Sequence, residues 1–202
     1  MKRSNMFIIG ITGSIASGKS VVSEILKQNG IKIIDADVVS RQCTEPGSEG
    51  AKLIKQFFGK DVFDEEDKLL RRKLGEIVFA NKNKLIELNN ILHPLIVSQI
   101  KAQLENYRQQ GKATVALDAP LLIETGLDKL CNEVWLVVAD DQIRLNRLIL
   151  RDNLTNEQAI ARMNNQTSQK YKSAFATRIL YNEGNYNQLK IEVEKLLNKI
   201  RG

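Results

Sequence analysis

Apolar runs and amphipathic segments alternate along the chain and predict a β–α–β unit at its start. Phe7–Ile11 is a short apolar run that ends at a glycine-rich turn, and Ile31–Ile34 is a second apolar run. The segment between them has apolar residues at helical spacing, and Gly30 stands where a C-terminal helix cap belongs. A strand, a helix and a second strand in this order predict a parallel sheet with a right-handed crossover connection.

Three further apolar runs extend the predicted sheet. Ala113–Leu117, Glu133–Ala139 and Ile179–Tyr181 have the length and apolar character of strands. Asp140–Arg151 and Tyr186–Ile200 have the apolar spacing of helices. The pattern therefore predicts an α/β fold, with a mostly parallel sheet of about five strands flanked by helices.

The middle of the chain predicts a helical insert between the second and third strands. Helical spacing extends over about 69–110, with interruptions at Asn81 and again at His93 and Pro94. Pro94 suits the first position of a new helix, because proline has no N–H to donate there. Ligands of open α/β sheets bind beyond the carboxyl ends of the strands, so we expect the insert to pack at that edge.

A phosphate-binding loop follows the first predicted strand. The segment GSIASGKS matches the pattern G-x-x-x-x-G-K-[ST] at Gly13, Gly18, Lys19 and Ser20. The glycines let successive backbone N–H groups turn toward an anion at a helix N-terminus. We expect Lys19 near the β- and γ-phosphates of a nucleoside triphosphate, and the hydroxyl of Ser20 as a ligand of Mg²⁺.

Composition and charge narrow the choice of partner. Thirty basic and twenty-four acidic residues give the 202-residue chain a net charge of +6, which suits an anionic partner. Only 5% of residues are aromatic, so phosphorylated small molecules are favoured over nucleic acid.

No apolar run approaches the roughly 20 residues that span a bilayer. Cys43 and Cys131 fit neither a disulfide framework nor a metal site. We expect a cytoplasmic protein without a membrane, nucleic-acid or obligatory protein partner.

Three carboxylates follow predicted strands and are candidates for acceptor or metal chemistry. A phosphoryl acceptor must be positioned and must lose a proton, and Asp37, just past the second strand, could do both. Asp35 is its rival, and either carboxylate could instead cap the next helix. Asp118 resembles a Walker-B acid that holds Mg²⁺ through water, with a helix or turn cap as the alternative.

Several features of the sequence, among them arginines in a later predicted helix, indicate which class of P-loop protein is favoured. Arg147 and Arg151 are four residues apart and share a helical face, where they could stabilise charge on a transferring phosphoryl group. A solvated charged face is the alternative. His93, the sole histidine, is a candidate helix cap or catalyst. The guanine-reading Asn-Lys-x-Asp pattern is not found. Small size, the helical insert and the late arginines favour a metabolite kinase with a lid.

Six segments in order resemble the dephospho-coenzyme A kinase family. They are GITGSIASGKSVVSEIL, IIDADVVSR, LLRRKLGEIVFAN, LHPLI, LDAPLLIETGL and RLILRD, and they cover essentially the whole chain. The resemblance implies phosphorylation of the ribose 3′-hydroxyl of dephospho-coenzyme A, with ATP as co-substrate and Mg²⁺ as cofactor. A nucleoside or nucleotide kinase and a nucleotide-gated binding protein with little turnover are the alternatives.

The resemblance also implies roles for individual residues. The implied catalytic residues are Asp37, Lys19 and Arg147. The implied ATP-binding residues are Gly13, Ala16, Ser17, Gly18, Lys19, Ser20, Val21, Arg147, Arg151 and Asn182, with Gly184 beside Asn182 near the adenine. The implied residues for the acceptor are Asp37, Arg71, His93, Pro94 and Asp118. The implied metal ligand is Ser20, with Asp118 or Asp37 acting through water.

The resemblance implies a single kinase domain with three parts. The nucleotide-binding core is expected at about 6–45, 112–140 and 176–202. The helical substrate subdomain is expected at about 46–111, and the lid at about 141–175.

Overall fold

The apolar runs of the sequence form a five-stranded sheet in the computed structural model, which describes residues 6–201. The strands are β1 (Phe7–Gly13), β2 (Lys32–Asp35), β3 (Thr114–Asp118), β4 (Glu133–Val138) and β5 (Arg178–Tyr181). Their order across the sheet is β2-β3-β1-β4-β5. β1 pairs in parallel with both β3 and β4, and β4 pairs in parallel with β5. The mostly parallel sheet of five strands flanked by helices is confirmed.

The described chain divides into two compact units. The first comprises the residues up to Ile34 and those from Tyr107 onward, and the second comprises Asp35–Asn106. The helices of the first unit are α1 (Lys19–Gln28), α6 (Asp141–Asp152), α7 (Asn156–Asn164), α8 (Gln169–Ser173) and α9 (Tyr186–Arg201), with a 3₁₀ turn at Leu127–Leu130. The C-terminal bound expected for the core, residue 202, lies outside the described residues.

The core of the first unit lies between the sheet and its helices. Ile9, Ile11 and Trp135 are fully buried on the central strands β1 and β4. Ile25 on α1 and Val193 on α9 are also fully buried and belong to the same cluster. Burying about 25 cal/mol per Å² of apolar surface in this way stabilises the sheet that holds the loop after β1.

The second unit is helical and has a separate core. Its helices are α2 (Ala36–Gln42), α3 (Glu49–Phe58), α4 (Arg71–Phe79) and most of α5 (Lys82–Gln109), with a 3₁₀ turn at Lys60–Val62. Ile54, Val62, Leu74 and Val78 are buried together. This core is made by the helices themselves, without a strand of the main sheet.

The expected break at Pro94 is wrong. Helix α5 runs without interruption through Pro94, although the break at Asn81 is confirmed, since α4 ends at Phe79 and α5 begins at Lys82. The side chain of Asn81 accepts hydrogen bonds from the N–H groups of Asn83 and Lys84, as a helix cap does. An internal proline costs a helix about 3 kcal/mol, an amount that tertiary packing on both sides of it can outweigh. Here Leu85, Leu88 and Leu92 pack on the core before the proline, and Ile100 and Leu104 are buried after it.

Within residues 6–201, no helix is both long enough and apolar enough to cross a membrane.

Candidate active site

The phosphate-binding loop joins β1 to α1, and close contacts require two of its glycines. A Cβ atom on Gly13 would lie 2.7 Å from the carbonyl oxygen of Val137, closer than side chains tolerate. Gly18 has a φ of 92°, which favours glycine, and a Cβ atom there would overlap Nδ2 of Asn182. The glycines thus let the loop pack against β4 and the segment after β5, directly before a helix N-terminus that attracts anions.

Lys19 and Asp118 form an ion pair at the base of the loop. The register of β1 and β3 sets Asp118 beside Ile11, so both strands deliver their carboxyl ends to the same edge of the sheet. Nζ of Lys19 donates to Oδ1 of Asp118, and the hydroxyl of Ser23 donates to Oδ2 at 2.5 Å. Asp118 is only 5% exposed. A carboxylate this buried needs such partners. The ion pair with Asp118 in turn fixes the position of the Lys19 ammonium beside the loop.

Three serine hydroxyls of the loop differ in their surroundings. Those of Ser14 and Ser17 are the buried side-chain polar atoms without a hydrogen-bond partner among the described residues. A buried hydroxyl without a partner costs about 1–3 kcal/mol, so both fit a loop completed by an added anion. Ser20, the first-turn residue of α1 that follows Lys19, is exposed.

The donor set of the loop suits Mg²⁺ held jointly with phosphate oxygens. Within the described part of the chain there is no group of three or more His, Cys, Asp or Glu residues that could hold a metal ion. Mg²⁺ at a nucleotide typically takes one or two protein ligands and completes its shell with waters and phosphates. The hydroxyl of Ser20 and the carboxylate of Asp118 are oxygen donors of that kind.

Arg147 joins the loop to the segment after β5. Its Nη2 donates to the carbonyl oxygen of Asn182 at 3.0 Å, and its Nη1 lies 3.5 Å from the carbonyl oxygen of Ala16. Nδ2 of Asn182 in turn donates to the carbonyl oxygen of Ser17 at 2.9 Å. A cavity of about 250 Å³ beside these contacts is lined by Gly18, Val21, Arg147, Asn182, Gly184 and Tyr186. The structure therefore brings most of the expected ATP-binding residues to one place.

Arg151 has different contacts from Arg147, although both lie on α6. Its side chain is 58% exposed and pairs with Asp152 at 2.8 Å, and Asp152 also pairs with Arg162 of α7. The hydrogen bond to Asp152 raises the pKa of Arg151. These contacts link the end of α6 to α7.

The two carboxylates at the end of β2 have distinct positions in the second unit. Asp35 is the N-cap of α2, and its Oδ1 accepts hydrogen bonds from the N–H groups of Asp37 and Val38 at 2.9 and 3.1 Å. The capping alternative therefore describes Asp35. Asp37 lies in the first turn of α2 and is exposed.

Of the other residues expected to serve the acceptor, Asp118 belongs to the first unit, and Arg71, His93 and Pro94 lie in the second. Nη2 of Arg71, at the start of α4, donates to the hydroxyl of Thr44 at 2.5 Å. Arg71 is exposed as a residue, but partial burial of its guanidinium, and then the charge of Arg41, lowers its pKa. His93 is half-buried and Pro94 is exposed. Because both are inside α5, His93 is not a helix cap.

Three residues of the first unit have contacts that no sequence pattern predicted. The hydroxyl of Ser23 donates to Oδ2 of Asp118 at 2.5 Å. Oε1 of Gln166 accepts a hydrogen bond from the backbone N–H of Ile15 in the phosphate loop at 2.7 Å. Nζ of Lys172 donates to the carbonyl oxygen of Pro120 at 2.6 Å, in the segment that follows Asp118. Helical spacing could have found Ser23, four residues after Lys19, but nothing local marks the other two.

Comparison with known proteins points to one family. The family model for dephospho-CoA kinase matches residues 7–188. The dephospho-CoA kinase of Lactobacillus johnsonii is 38% identical over 194 residues, which make up 96% of this chain and 98% of that protein. Among solved structures, TT1252 from Thermus thermophilus superposes with a TM-score of 0.84 at 29% identity, covering 98% of this chain and 99% of the other. The dephospho-CoA kinase from Campylobacter jejuni superposes with a TM-score of 0.66 at 30% identity, covering 96% and 98%.

Proposed function

The chain belongs to the dephospho-CoA kinase family, and on that premise we propose that it phosphorylates dephospho-coenzyme A. The reaction transfers the γ-phosphoryl group of ATP to the ribose 3′-hydroxyl and gives coenzyme A and ADP, the last step of coenzyme A biosynthesis. The observation that carries the proposal is the phosphate-binding loop with its Lys19–Asp118 pair, beside a cavity walled by Arg147 and Asn182. We place this enzyme in the cytoplasm, where ATP is abundant, with the two small-molecule substrates as its partners.

On the donor side, we propose that the loop and its neighbours bind ATP. The backbone N–H groups of the loop and the ammonium of Lys19 stabilise charge on the β- and γ-phosphates. Arg147 adds a guanidinium that can follow this charge as it shifts during transfer. Asn182 and Gly184 line the cavity that would take the nucleoside part of ATP.

On the acceptor side, we propose Asp37 as the base. The acceptor oxygen forms a bond to the γ-phosphorus while the bond from that phosphorus to the bridging oxygen of ADP breaks, and the hydroxyl proton passes to the Asp37 carboxylate. Taking up a proton would weaken the two N–H hydrogen bonds by which Asp35 caps α2, which supports Asp37 over its rival. Arg71, His93 and Pro94 are the family-implied contacts for dephospho-coenzyme A, and the proposal keeps them in that role.

The residues that would hold Mg²⁺ are Ser20 directly and Asp118 through water, with Asp37 as the alternative to Asp118. The ion, when bound with ATP, would neutralise charge on the β- and γ-oxygens. Lys19 keeps Asp118 in place for this role, because it pairs with the same carboxylate.

An acceptor panel tests the proposed function. ADP release from ATP is measured with dephospho-coenzyme A and, separately, with nucleosides and nucleoside monophosphates, and the product mass is determined. We expect ADP release and a product heavier by one phosphate only with dephospho-coenzyme A. Turnover with a nucleoside but not with dephospho-coenzyme A would make the chain a nucleoside kinase. ATP binding without turnover on any acceptor would indicate a nucleotide-gated binding protein.

A further inference from the structure

Ala16, in the middle of the phosphate loop, has a backbone conformation that is unfavourable for alanine. Its φ is 60°, in the left-handed region, and it is one of three described non-glycine residues with a positive φ. In this region the Cβ atom of an L-residue crowds the following carbonyl oxygen. Contacts must offset this cost; one is the turn hydrogen bond inside the loop, from the N–H of Ser17 to the carbonyl oxygen of Ser14 at 3.1 Å, and others come from outside the loop.

Arg144 of α6 supplies one such contact, on the peptide that precedes Ala16. Its Nε donates to the carbonyl oxygen of Ile15 at 3.0 Å. The guanidinium is almost fully buried, at 6% side-chain exposure, and its Nη1 pairs with Asp141 at 2.7 Å. Because the peptide is planar and trans, holding the carbonyl oxygen of Ile15 toward Arg144 directs the N–H of Ala16 the opposite way. A change of φ at Ala16 to a negative value would rotate this peptide and break the contact.

Gln166 supplies a second contact, on the other side of Ile15. Its Oε1 accepts the hydrogen bond from the N–H of Ile15 at 2.7 Å. Gln166 lies in the connection between α7 and α8, within the segment expected to form the lid. Ile15 is therefore held at its carbonyl oxygen by α6 and at its N–H by the connection after α7. We call the two side chains of Arg144 and Gln166 the Ile15 clamp.

We propose that the Ile15 clamp positions the phosphate loop for ATP by holding Ala16 in its left-handed conformation. The N–H of Ala16 is then one of the donors that meet the phosphates. Arg144 and Gln166 act through the loop backbone, so they are positioning residues. The inference deepens the proposed function and rests on its assignment of the loop to ATP.

Losing the clamp lowers the fraction of loops that can bind ATP. Apparent affinity falls in proportion to that fraction, so the effect belongs to ATP binding and not to the acceptor. We expect Arg144→Met to raise the dissociation constant of MgATP about tenfold, and Gln166→Leu to raise it severalfold. The KM for dephospho-coenzyme A should stay within about twofold of the parent, since neither side chain has a role in holding that substrate.

The deciding experiment repeats each variant in a chain that also carries Ala16→Gly. Glycine adopts positive φ without strain, so the loop should need the clamp less. MgATP affinity is measured by calorimetric titration, and each variant is compared with the parent of the same background. We expect the tenfold effect of Arg144→Met to shrink to about twofold with Ala16→Gly. An unchanged ratio in the two backgrounds would overturn the proposal.

Gln158→Leu is the matched control. Gln158 lies in α7, in the same part of the chain, but its Oε1 accepts a hydrogen bond from the backbone N–H of Thr155 at 3.0 Å and not from the phosphate loop. Any effect of this substitution on MgATP affinity should be equal with and without Ala16→Gly. If Arg144→Met fails to fold, Gln166→Leu still decides, since Gln166 is exposed and its loss leaves no buried charge.

The two proposals fail in different measurements. Wild-type protein that binds MgATP but forms no coenzyme A would refute the proposed function, and the two-background comparison of affinity would still decide on the clamp. Wild-type protein that forms coenzyme A, with clamp effects independent of Ala16→Gly, would refute the clamp alone.

Discussion

The two compact units of the molecule differ in how deeply their charged residues are buried. In the first unit, Asp118, Arg144 and Lys172 are almost fully buried and each has an oppositely charged partner. In the second unit, the only buried polar residue among those described is Thr44, and the candidate residues Asp37 and Arg71 are exposed. The unit with the phosphate loop therefore contains buried charged groups, each paired with a more exposed partner, and the described charged residues of the helical unit lie nearer the surface.

This difference determines what a substitution should change. Removing one member of a buried charge pair leaves the other unpaired, which lowers the free energy of unfolding as well as any activity. Removing an exposed charge changes stability by roughly 0.5 kcal/mol or less. Substitutions of the buried charged residues in the first unit should therefore lower stability and activity together. Substitutions of the exposed charged residues in the second unit should change activity and leave stability nearly unchanged.

The largest expected effect is that of Lys19→Ala. If the ammonium of Lys19 faces the phosphates of ATP, as proposed, its loss should lower kcat/KM about 10³-fold. The variant also leaves the 5%-exposed carboxylate of Asp118 without its cation, so we expect the free energy of unfolding to fall by about 3 kcal/mol. Steady-state kinetics and urea denaturation of the same preparation measure the two losses.

The double variant Lys19→Ala with Asp118→Asn separates the two losses. A neutral amide needs no cation, so stability should return most of the way to the wild-type value while activity stays low. Stability that stays as low in the double variant as in Lys19→Ala would show that the ion pair does not stabilise the first unit. The two units would then not differ in how strongly their charged residues contribute to stability.

Asp37→Asn in the second unit comes next. If Asp37 takes the acceptor proton, kcat should fall about 100-fold, because asparagine cannot accept it at neutral pH. MgATP affinity and the midpoint of urea denaturation should stay at the wild-type values, since the side chain is exposed. Single-turnover kinetics with dephospho-coenzyme A measure the loss.

Asp35→Asn is the control for this prediction. Asparagine caps helices about as well as aspartate, so the N-cap of α2 should remain and both stability and turnover should change little. A large loss with Asp35→Asn and none with Asp37→Asn would transfer the role of the base to Asp35. A loss of stability with Asp37→Asn would break the separation expected of the helical unit.

The fold could be predicted largely from local patterns, because its strands are short apolar runs between clear turns. The glycine-rich loop from Gly13 to Ser20 is one continuous segment, so its residues could be assigned together, and the family and fold class are confirmed. The prediction was wrong at Pro94, where a local rule for proline competes with packing on both sides of α5. Such packing is a tertiary effect that a local pattern does not contain.

The candidate site could be predicted only in part, because several of its contacts join distant segments. Gln166 reaches Ile15 across 151 positions of the chain, and Lys172 reaches Pro120 across 52. In the sequence, both are ordinary polar residues of a polar stretch. Arg144 stands three residues before Arg147, and the helical period alone does not tell that one is buried on the loop backbone. The roles of all the candidate site residues, those of the loop as well as Asp37, Arg71 and His93, stay predictions.

The smallest expected effect is that of Lys172→Met. This substitution tests a buried charge that lies outside the phosphate loop. The side chain of Lys172 is 2% exposed, and its Nζ pairs with Glu124 at 3.0 Å and donates to the carbonyl oxygen of Pro120. Glu124 keeps 23% of its side chain exposed, so water relieves part of the loss. We expect the free energy of unfolding to fall by about 2 kcal/mol, less than for a fully buried pair.

The pH dependence of stability identifies the ion pair as the cause. Burial by itself raises the pKa of Glu124, but hydrogen bonds from its own backbone, Lys172 and Thr167 outweigh burial and lower it. The stability from this carboxylate is therefore present above its ordinary pKa and is lost as the pH falls through the lowered value. Lys172→Met should make the free energy of unfolding less dependent on pH in the acidic range, whereas Lys170→Met, which removes an exposed lysine of the same helix, should not. Equal pH profiles for the two variants would mean that Lys172 stabilises the first unit by packing, and that its buried charge is not coupled to Glu124.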